Sequence, residues 1–471
     1  MAALRVRRTP GARRALGAAR TLRRALADRR APLVLLAAIL ALSFAARVLH
    51  IDQPCRAPCA TPGEHTLIFD EAYYVSAARA IAGIAQSHSA KYYGAPKGED
   101  PNAEHAQLAK LVIAGGIELL GDGPWGWRLP SVLFGLLAMA ALYALVTGAG
   151  ASRRLAVGAV AVMALDNLML VHSRIATLDI YAVALMLVAG ALYVRRRPWL
   201  AGAALGVGGC MKLVALYLLV ALVLYEGLGL LAARGRAPTG GPGALTGGPR
   251  AATRGSGLRA ALAPLAACGL ASVLVYLGLL WALDLLVPAW DPGSRRVLGA
   301  SPFSHFAHIV DVARALRIKP HSGGISSTPW QWLIDQRPIH YARVAVDELA
   351  RGKVVGTRAA IDFQGRMNPA IVFSALPALA VGLVSALRTG DRVAMIAVAW
   401  TLGTFLPFVL QYELADRVSY IFYMLIVMPG VYVLAARLFS ARLMPRVATV
   451  AWAALLLYGF VHLYPLRMAL G

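Results

Sequence analysis

The chain has 471 residues, of which 59% are hydrophobic and only 15% charged. That balance excludes a soluble globular protein of this size and reads as a polytopic membrane protein. The formal net charge of +24 does not imply nucleic acid as a partner. The basic residues come in short bursts between apolar segments, as cytoplasmic loops of membrane proteins do, and not in one patch interleaved with aromatics.

Residues 1–32 carry ten arginines against one acid, Asp28. They read as a basic cytoplasmic tail before an uncleaved first span, Leu33–Val48, because no small-residue cleavage pattern follows it. From Ile51 to Trp127 the sign reverses, with nine acids against five bases, which fits a loop on the outer side. Within it Leu108–Leu120 is too short to span comfortably and reads as a helix at the membrane surface. Cys55 and Cys59 lie in this loop, where a disulfide is permitted, so they are a candidate pair with free thiols as the alternative. Cys210 and Cys268 fall inside apolar runs and read as small core residues.

Arg153-Arg154 and Arg195-Arg196-Arg197 mark inner loops, which places spans at 128–148, 155–171 and 176–194. The turn His172-Ser173-Arg174 then faces outside. Residues 198–209 and 213–233 form the next pair of spans, with Lys212 at their outer turn. The Gly/Pro/Arg-rich stretch 234–259 reads as a flexible cytoplasmic linker. Residues 260–287 cross outward, a second outside region covers about 289–368, and spans follow near 369–387, 393–411, 418–436 and 447–465. The fold class expected is an all-α membrane protein of eleven spans with two long outside loops. It divides into a tail (1–32), an N-terminal catalytic core (33–233), the linker (234–259) and a C-terminal membrane region (260–471). The N-terminus is inside, and the site is on the outer face of the cell membrane.

On this topology several charged features meet at outer span ends. They are Asp70-Glu71, the run Glu104-His105-Ala-Gln-Leu-Ala-Lys110, the turn Asp166…Ser173-Arg174…Asp179, Lys212 and Asp416-Arg417. Each has an ordinary reading as a structural pair, a snorkelling cation or an interfacial anchor. Together they place cations where the usual charge bias opposes them, next to paired carboxylates. A lipid phosphate is the natural partner for the cations, and a carboxylate beside it would serve as general base. Eight histidines fall outside (His65, His88, His105, His172, His305, His308, His321 and His340). They show no trusted ligand spacing, so no cofactor is indicated and a divalent metal stays an open alternative.

The order Phe69-Asp70-Glu71-Ala-Tyr-Tyr74, His105…Leu-Ala-Lys110, Trp127-Arg128-Leu-Pro-Ser, Asp166-Asn…His172-Ser-Arg174…Leu-Asp179, Gly209-Cys-Met-Lys212 and Arg417-Val-Ser-Tyr420 resembles the protein O-mannosyltransferase family in its bacterial branch. The later segment Ser327-Thr-Pro-Trp330…Arg337-Pro-Ile-His-Tyr341 resembles that branch's outer loop. The resemblance runs from about residue 40 to 435. It implies a GT-C-type glycosyltransferase that moves mannose, with inversion, from a polyprenyl or dolichyl phosphate to Ser or Thr hydroxyls of secreted proteins, which a secretion channel would deliver. It implies Asp70 as the essential acid, with Glu71 beside it as the second catalytic candidate. Arg174, Lys212, Arg417, His105, Lys110, Arg128, Asp179, Trp330, Arg337, Tyr341 and Tyr420 are the implied donor or substrate contacts. The chain departs from the family at His105-Ala-Gln-Leu-Ala-Lys110, where a diproline is usual, and at Leu213, where a Trp usually follows the lysine. The alternatives are another sugar, such as arabinose or aminoarabinose, a lipid or glycan acceptor, or a transporter of lipid-linked sugars. A transporter would be expected to show paired repeats and broken spans, which the sequence lacks.

Overall fold

A computed structural model describes residues 30–56, 59, 61–235, 250–299, 301–317, 324–350, 353–440 and 444–467. Most of the expected basic tail, the centre of the expected linker (236–249) and His321 lie outside the described residues. Pro32 in the first turn and the apolar run behind it start α1 (Ala31–Val48). The loop that follows carries a disulfide between Cys55 and Cys59, then α2 (Glu71–Ile81) and α3 (Leu108–Leu120).

The expected spans then appear in order as helices: α4 (Pro124–Gly148), α5 (Arg153–Ala164) with the short α6 (Asn167–His172), α7 (Asp179–Val194), α8 (Pro198–Met211) and α9 (Leu218–Gly235). The long α10 (Arg250–Leu286) leads to a short pair of strands, β1 (Trp290–Asp291) and β2 (Arg296–Val297). Next come α11 (Pro302–Ala315), α12 (Pro329–Trp332) and the antiparallel hairpin β3 (Ile339–Ala350) and β4 (Lys353–Gly365). Four helices close the chain: α13 (Pro369–Thr389), α14 (Arg392–Ala415), α15 (Met424–Ser440) and α16 (Arg446–His462).

Among the described residues seven helical stretches are long and apolar enough to cross a membrane. The other four expected spans are helical but shorter, so length and composition alone do not carry the count to eleven. The break between α5 and α6 falls at Leu165-Asp166. Asp166 there accepts from the Asn368 backbone N–H at 2.8 Å and from the Tyr432 hydroxyl at 2.5 Å. A carboxylate inside the bundle is tolerated because donors on two other helices are spent on it. The fold also holds an element that apolar periodicity did not announce. The outer region expected between 289 and 368 contains a hairpin of 12 and 13 residues, offset by three irregularities in register.

Local chemistry sets the helix ends. Ser152 accepts from the Leu155 N–H to start α5. Gly390 ends α13 in the left-handed region at φ 66°, and Asp391 immediately caps α14 through the Val393 and Ala394 N–H groups. The middle of the bundle is α14 and the 421–440 stretch, whose most apolar windows are 78% and 89% buried, against 11% for α1. The helices α8 and α10 cross at backbone distance because Gly202 and Gly206 repeat at i, i+4. A Cβ at Gly202 would lie 2.3 Å from the Cys268 carbonyl oxygen, and one at Gly206 would lie 2.7 Å from that of Ser272. Backbone cannot yield to a side chain, so Gly202→Leu is expected to lower stability by about 1–3 kcal/mol through overpacking. Gly229→Leu, where nothing stands within 4 Å, is the matched control. Equal melting midpoints of the two variants in detergent would contradict the close crossing.

Candidate active site

The site starts from a strained residue. Phe69 has φ 54°, a conformation that costs a bulky side chain about 1 kcal/mol or more. It turns the chain from the loop into α2, so that Asp70 takes the N-cap position and its carbonyl receives the Tyr73 and Tyr74 N–H groups. Asp70 and Glu71 then point into different surroundings.

Glu71 is fully buried, and both its oxygens are occupied. Oε2 accepts from the Ile68 N–H at 2.7 Å and from Arg128 Nη2 at 2.8 Å. Oε1 accepts from Arg128 Nε and from the Ala176 N–H, both at 2.9 Å. Arg128 also donates to the carbonyls of Ile51, Gln53 and Thr66. The pair therefore ties α2, α4, the loop after α1 and the turn before α7 into one frame. In this arrangement both Glu71 oxygens are taken up by structural donors, and all five Arg128 N–H groups are spent on Glu71 and the three carbonyls.

Asp70 faces the other way. Burial raises its carboxyl to about 7, with Asp179 and Glu104 adding to the rise and Lys212 opposing it. Lys212, where α8 ends, holds Asp179 in the first turn of α7 at 2.7 Å, and its ammonium stands 5.8 Å from the Phe422 ring centroid. Arg417 donates to Gln411 Oε1 at 2.9 Å, and its Nε has no partner. Tyr420 lies within electrostatic range of both Asp70 and Arg417. His105 is pushed well below the usual imidazole range by burial and by Lys212, Lys110 and Arg417. A neutral imidazole, two cations and an acid poised near neutrality thus face a common region.

Other expected contacts are placed elsewhere. Lys110 is sealed in the first turn of α3, paired with Asp100 at 2.5 Å and donating to the carbonyls of Asn102 and His105. Arg174 is buried behind Glu71 and donates to the carbonyls of Ala46 and His50. With Arg47, which donates to the Ser43 carbonyl and to Ser173 Oγ, it satisfies the negative end of α1. Arg174 Nε is buried without a hydrogen-bond partner. Trp330 is 52% exposed and donates to Glu413, and Arg337 sits in an exposed turn before β3. Neither contacts the groups around Asp70.

Tyr341 does reach the site. Its ring stacks on Phe69 at 4.3 Å, and its hydroxyl lies 2.8 Å from His172 Nε2. The sequence reading passed over His172, Phe422 and Glu104 as site residues. Only His172 and Glu104 carried a signal, since each sits inside a motif run already noted. No group of three or more His, Cys, Asp or Glu able to hold a metal occurs among the described residues.

Residues 104–236 match the family model described as dolichyl-phosphate-mannose-protein mannosyltransferase. This is the family the motifs resemble, and the matched stretch includes His105, Asp179 and Lys212. No curated protein matches the chain in sequence. Among solved structures, the chain is similar to the S. cerevisiae protein O-mannosyltransferase Pmt1-Pmt2 complex bound to the sugar donor. The TM-score is 0.65 at 11% identity, over 92% of this chain and 90% of that one. It is also similar to ArnT from Cupriavidus metallidurans bound to undecaprenyl phosphate (TM-score 0.50, 17% identity, 92% and 64% covered). A third is the Archaeoglobus fulgidus oligosaccharyltransferase (TM-score 0.51, 11% identity, 94% and 56% covered). The chain thus spans about two thirds and just over half the length of the latter two. These likenesses give the chain the GT-C fold of membrane-embedded, lipid-linked sugar transferases.

Proposed function

We propose that this multi-pass membrane glycosyltransferase of GT-C fold transfers mannose from a polyprenyl phosphate to Ser or Thr hydroxyls of secreted proteins on the outer face of the cell membrane. What carries this reading is the juxtaposition of Asp70, held near neutrality, with the cation Lys212, while Arg417 acts on the neighbouring His105 and Tyr420. A base works best when its pKa lies near the working pH, and a departing phosphate needs positive charge that is already in position.

In this mechanism the acceptor hydroxyl gives its proton to Asp70 while its oxygen forms the bond to the sugar's anomeric carbon. The bond from that carbon to the phosphate oxygen breaks in the same displacement, which inverts the centre. The lipid phosphate leaves with the electron pair. Lys212 and the unpaired Arg417 Nε stabilise it, and neutral His105 can donate one hydrogen bond without adding charge. Asp179 holds Lys212 in place by its 2.7 Å contact.

The test is incorporation of labelled mannose from polyprenyl-phosphate-mannose into a Ser/Thr-rich secreted peptide by membranes carrying the protein. Parallel assays use arabinose and aminoarabinose donors and a lipid acceptor. Labelling only in one of those parallel assays would overturn the mannose or protein part of the reading. Lys212→Met is expected to raise the donor KM by about tenfold or more, as loss of a charged hydrogen bond of about 1.5–3 kcal/mol implies. A donor saturation curve like that of the unaltered protein would remove Lys212 from the phosphate site.

A further inference from the structure

The outer hairpin makes a contact that the transfer mechanism does not require. Tyr341, the third residue of β3, is almost fully buried. It is held by three neighbours. Its hydroxyl lies 2.8 Å from His172 Nε2, and His172 Nδ1 lies 3.2 Å from Thr177 Oγ1. Its ring stacks on Phe69 at 4.3 Å and an interplanar angle of 23°. The ring of aromatics then closes, because Phe422 packs on Phe69 at 5.5 Å and on His172 at 5.7 Å. Room for the hydroxyl comes from Gly365 at the end of β4, where a Cβ would stand 2.2 Å from it.

From this arrangement we infer that Tyr341 is a positioning residue: clamped by His172 and Gly365, it holds Phe69 in its strained conformation and keeps water from the Asp70 carboxylate. The inference rests on Asp70 as the base. The strain at Phe69 persists only if its surroundings over-determine it, and of the two rings packed on it Tyr341 stands nearer, at 4.3 Å against 5.5 Å for Phe422. Phe69 immediately precedes Asp70, so releasing it would loosen the cap position and let solvent reach the acid.

The groups that act on Asp70 are Lys212 at the end of α8, Asp179 on α7, Glu104 before α3, Tyr74 on α2, Tyr341 on β3 and Tyr420 before α15. Only Tyr341 comes from the hairpin. Its removal changes the wetting of Asp70 and leaves the three charges in place. Burial is the largest cause of the rise to about 7, so admitting water moves Asp70 back toward 3.8, the ordinary value.

Tyr341→Ala is expected to lower kcat and to move the acid limb of the kcat–pH profile down by about one pH unit or more, with the donor KM little changed. Tyr341→Phe, which keeps the stack and loses only the hydroxyl, is expected to retain most of both properties. Gly365→Ala, whose Cβ would meet the Tyr341 hydroxyl at 2.2 Å and force the ring out of place, is expected to shift the limb in the same direction as Tyr341→Ala. A uniform loss of active protein with the acid limb unmoved in Tyr341→Ala and Gly365→Ala overturns the inference. Full activity of Asp70→Asn overturns instead the assignment of the base, so the two failures are distinguishable.

Discussion

Asp70→Asn is expected to reduce transfer by about 10²–10⁴-fold, the usual contribution of a positioned base, while the protein stays folded and inserted. The unaltered enzyme should lose kcat as pH falls through about 7, because only the carboxylate accepts the proton. The same partly buried acid has a thermodynamic consequence of known sign. Its folded value lies above 3.8, so ionising it opposes folding, and stability is lost as pH rises from about 4 through about 7. Asparagine does not ionise. Asp70→Asn should therefore melt higher than the parent at pH 8 and show no advantage at pH 3.5, where both side chains are neutral. A variant that is active, or one that melts lower at pH 8, would contradict Asp70 as a partly buried base held at the expense of stability.

Arg128→Met is expected to have the largest effect on the fold. It strands the Glu71 carboxylate, which is fully buried, and breaking one side of such a pair costs about 3–5 kcal/mol. It also leaves three loop carbonyls without their donor. The expected result is poor yield and a lowered melting midpoint, with the outer loop opened to protease. Adding Glu71→Gln should recover part of the loss. The amide removes the stranded charge and can still accept from the Ile68 or Ala176 N–H. If the double variant is no more stable than Arg128→Met, the cost comes from the loop carbonyls and not from the unpaired charge.

The bundle was legible in the sequence because it obeys two loud rules. Apolar runs gave the helices, and arginine bursts bounded them within a few residues. The site was legible only as a neighbourhood. Adjacent carboxylates on a sequence look equivalent, yet a helix start sends successive side chains about 100° apart. Asp70 and Glu71 thus end on opposite sides of α2's first turn. Whether an arginine awaits a phosphate or closes a helix depends on which carbonyls lie beside it. Arg174 meets Ala46 and His50, more than 120 residues earlier, a contact no spacing rule predicts. The hairpin was missed for a related reason. Its second strand is buried on both faces from Ala359 to Gly365 while most of the first is exposed beyond Tyr341, so neither strand shows the period-two alternation that marks a half-buried strand.

The loop after α1 and the region after α10 are also stitched together. The Asp100 N–H donates to the Pro288 carbonyl and the Trp290 N–H to that of Asp100. Asp284 accepts from Gln107, 177 residues away in the chain, and stands 2.7 Å from His305 Nδ1. During synthesis the loop holding Glu104 and His105 therefore waits for partners that emerge only after α10 has been inserted. The hairpin that meets Phe69 emerges later still. Until then Asp70 has neither its aromatic cover nor Arg417. The order of translation therefore leaves the surroundings of Asp70 incomplete until the hairpin and the residues after α14 have been made.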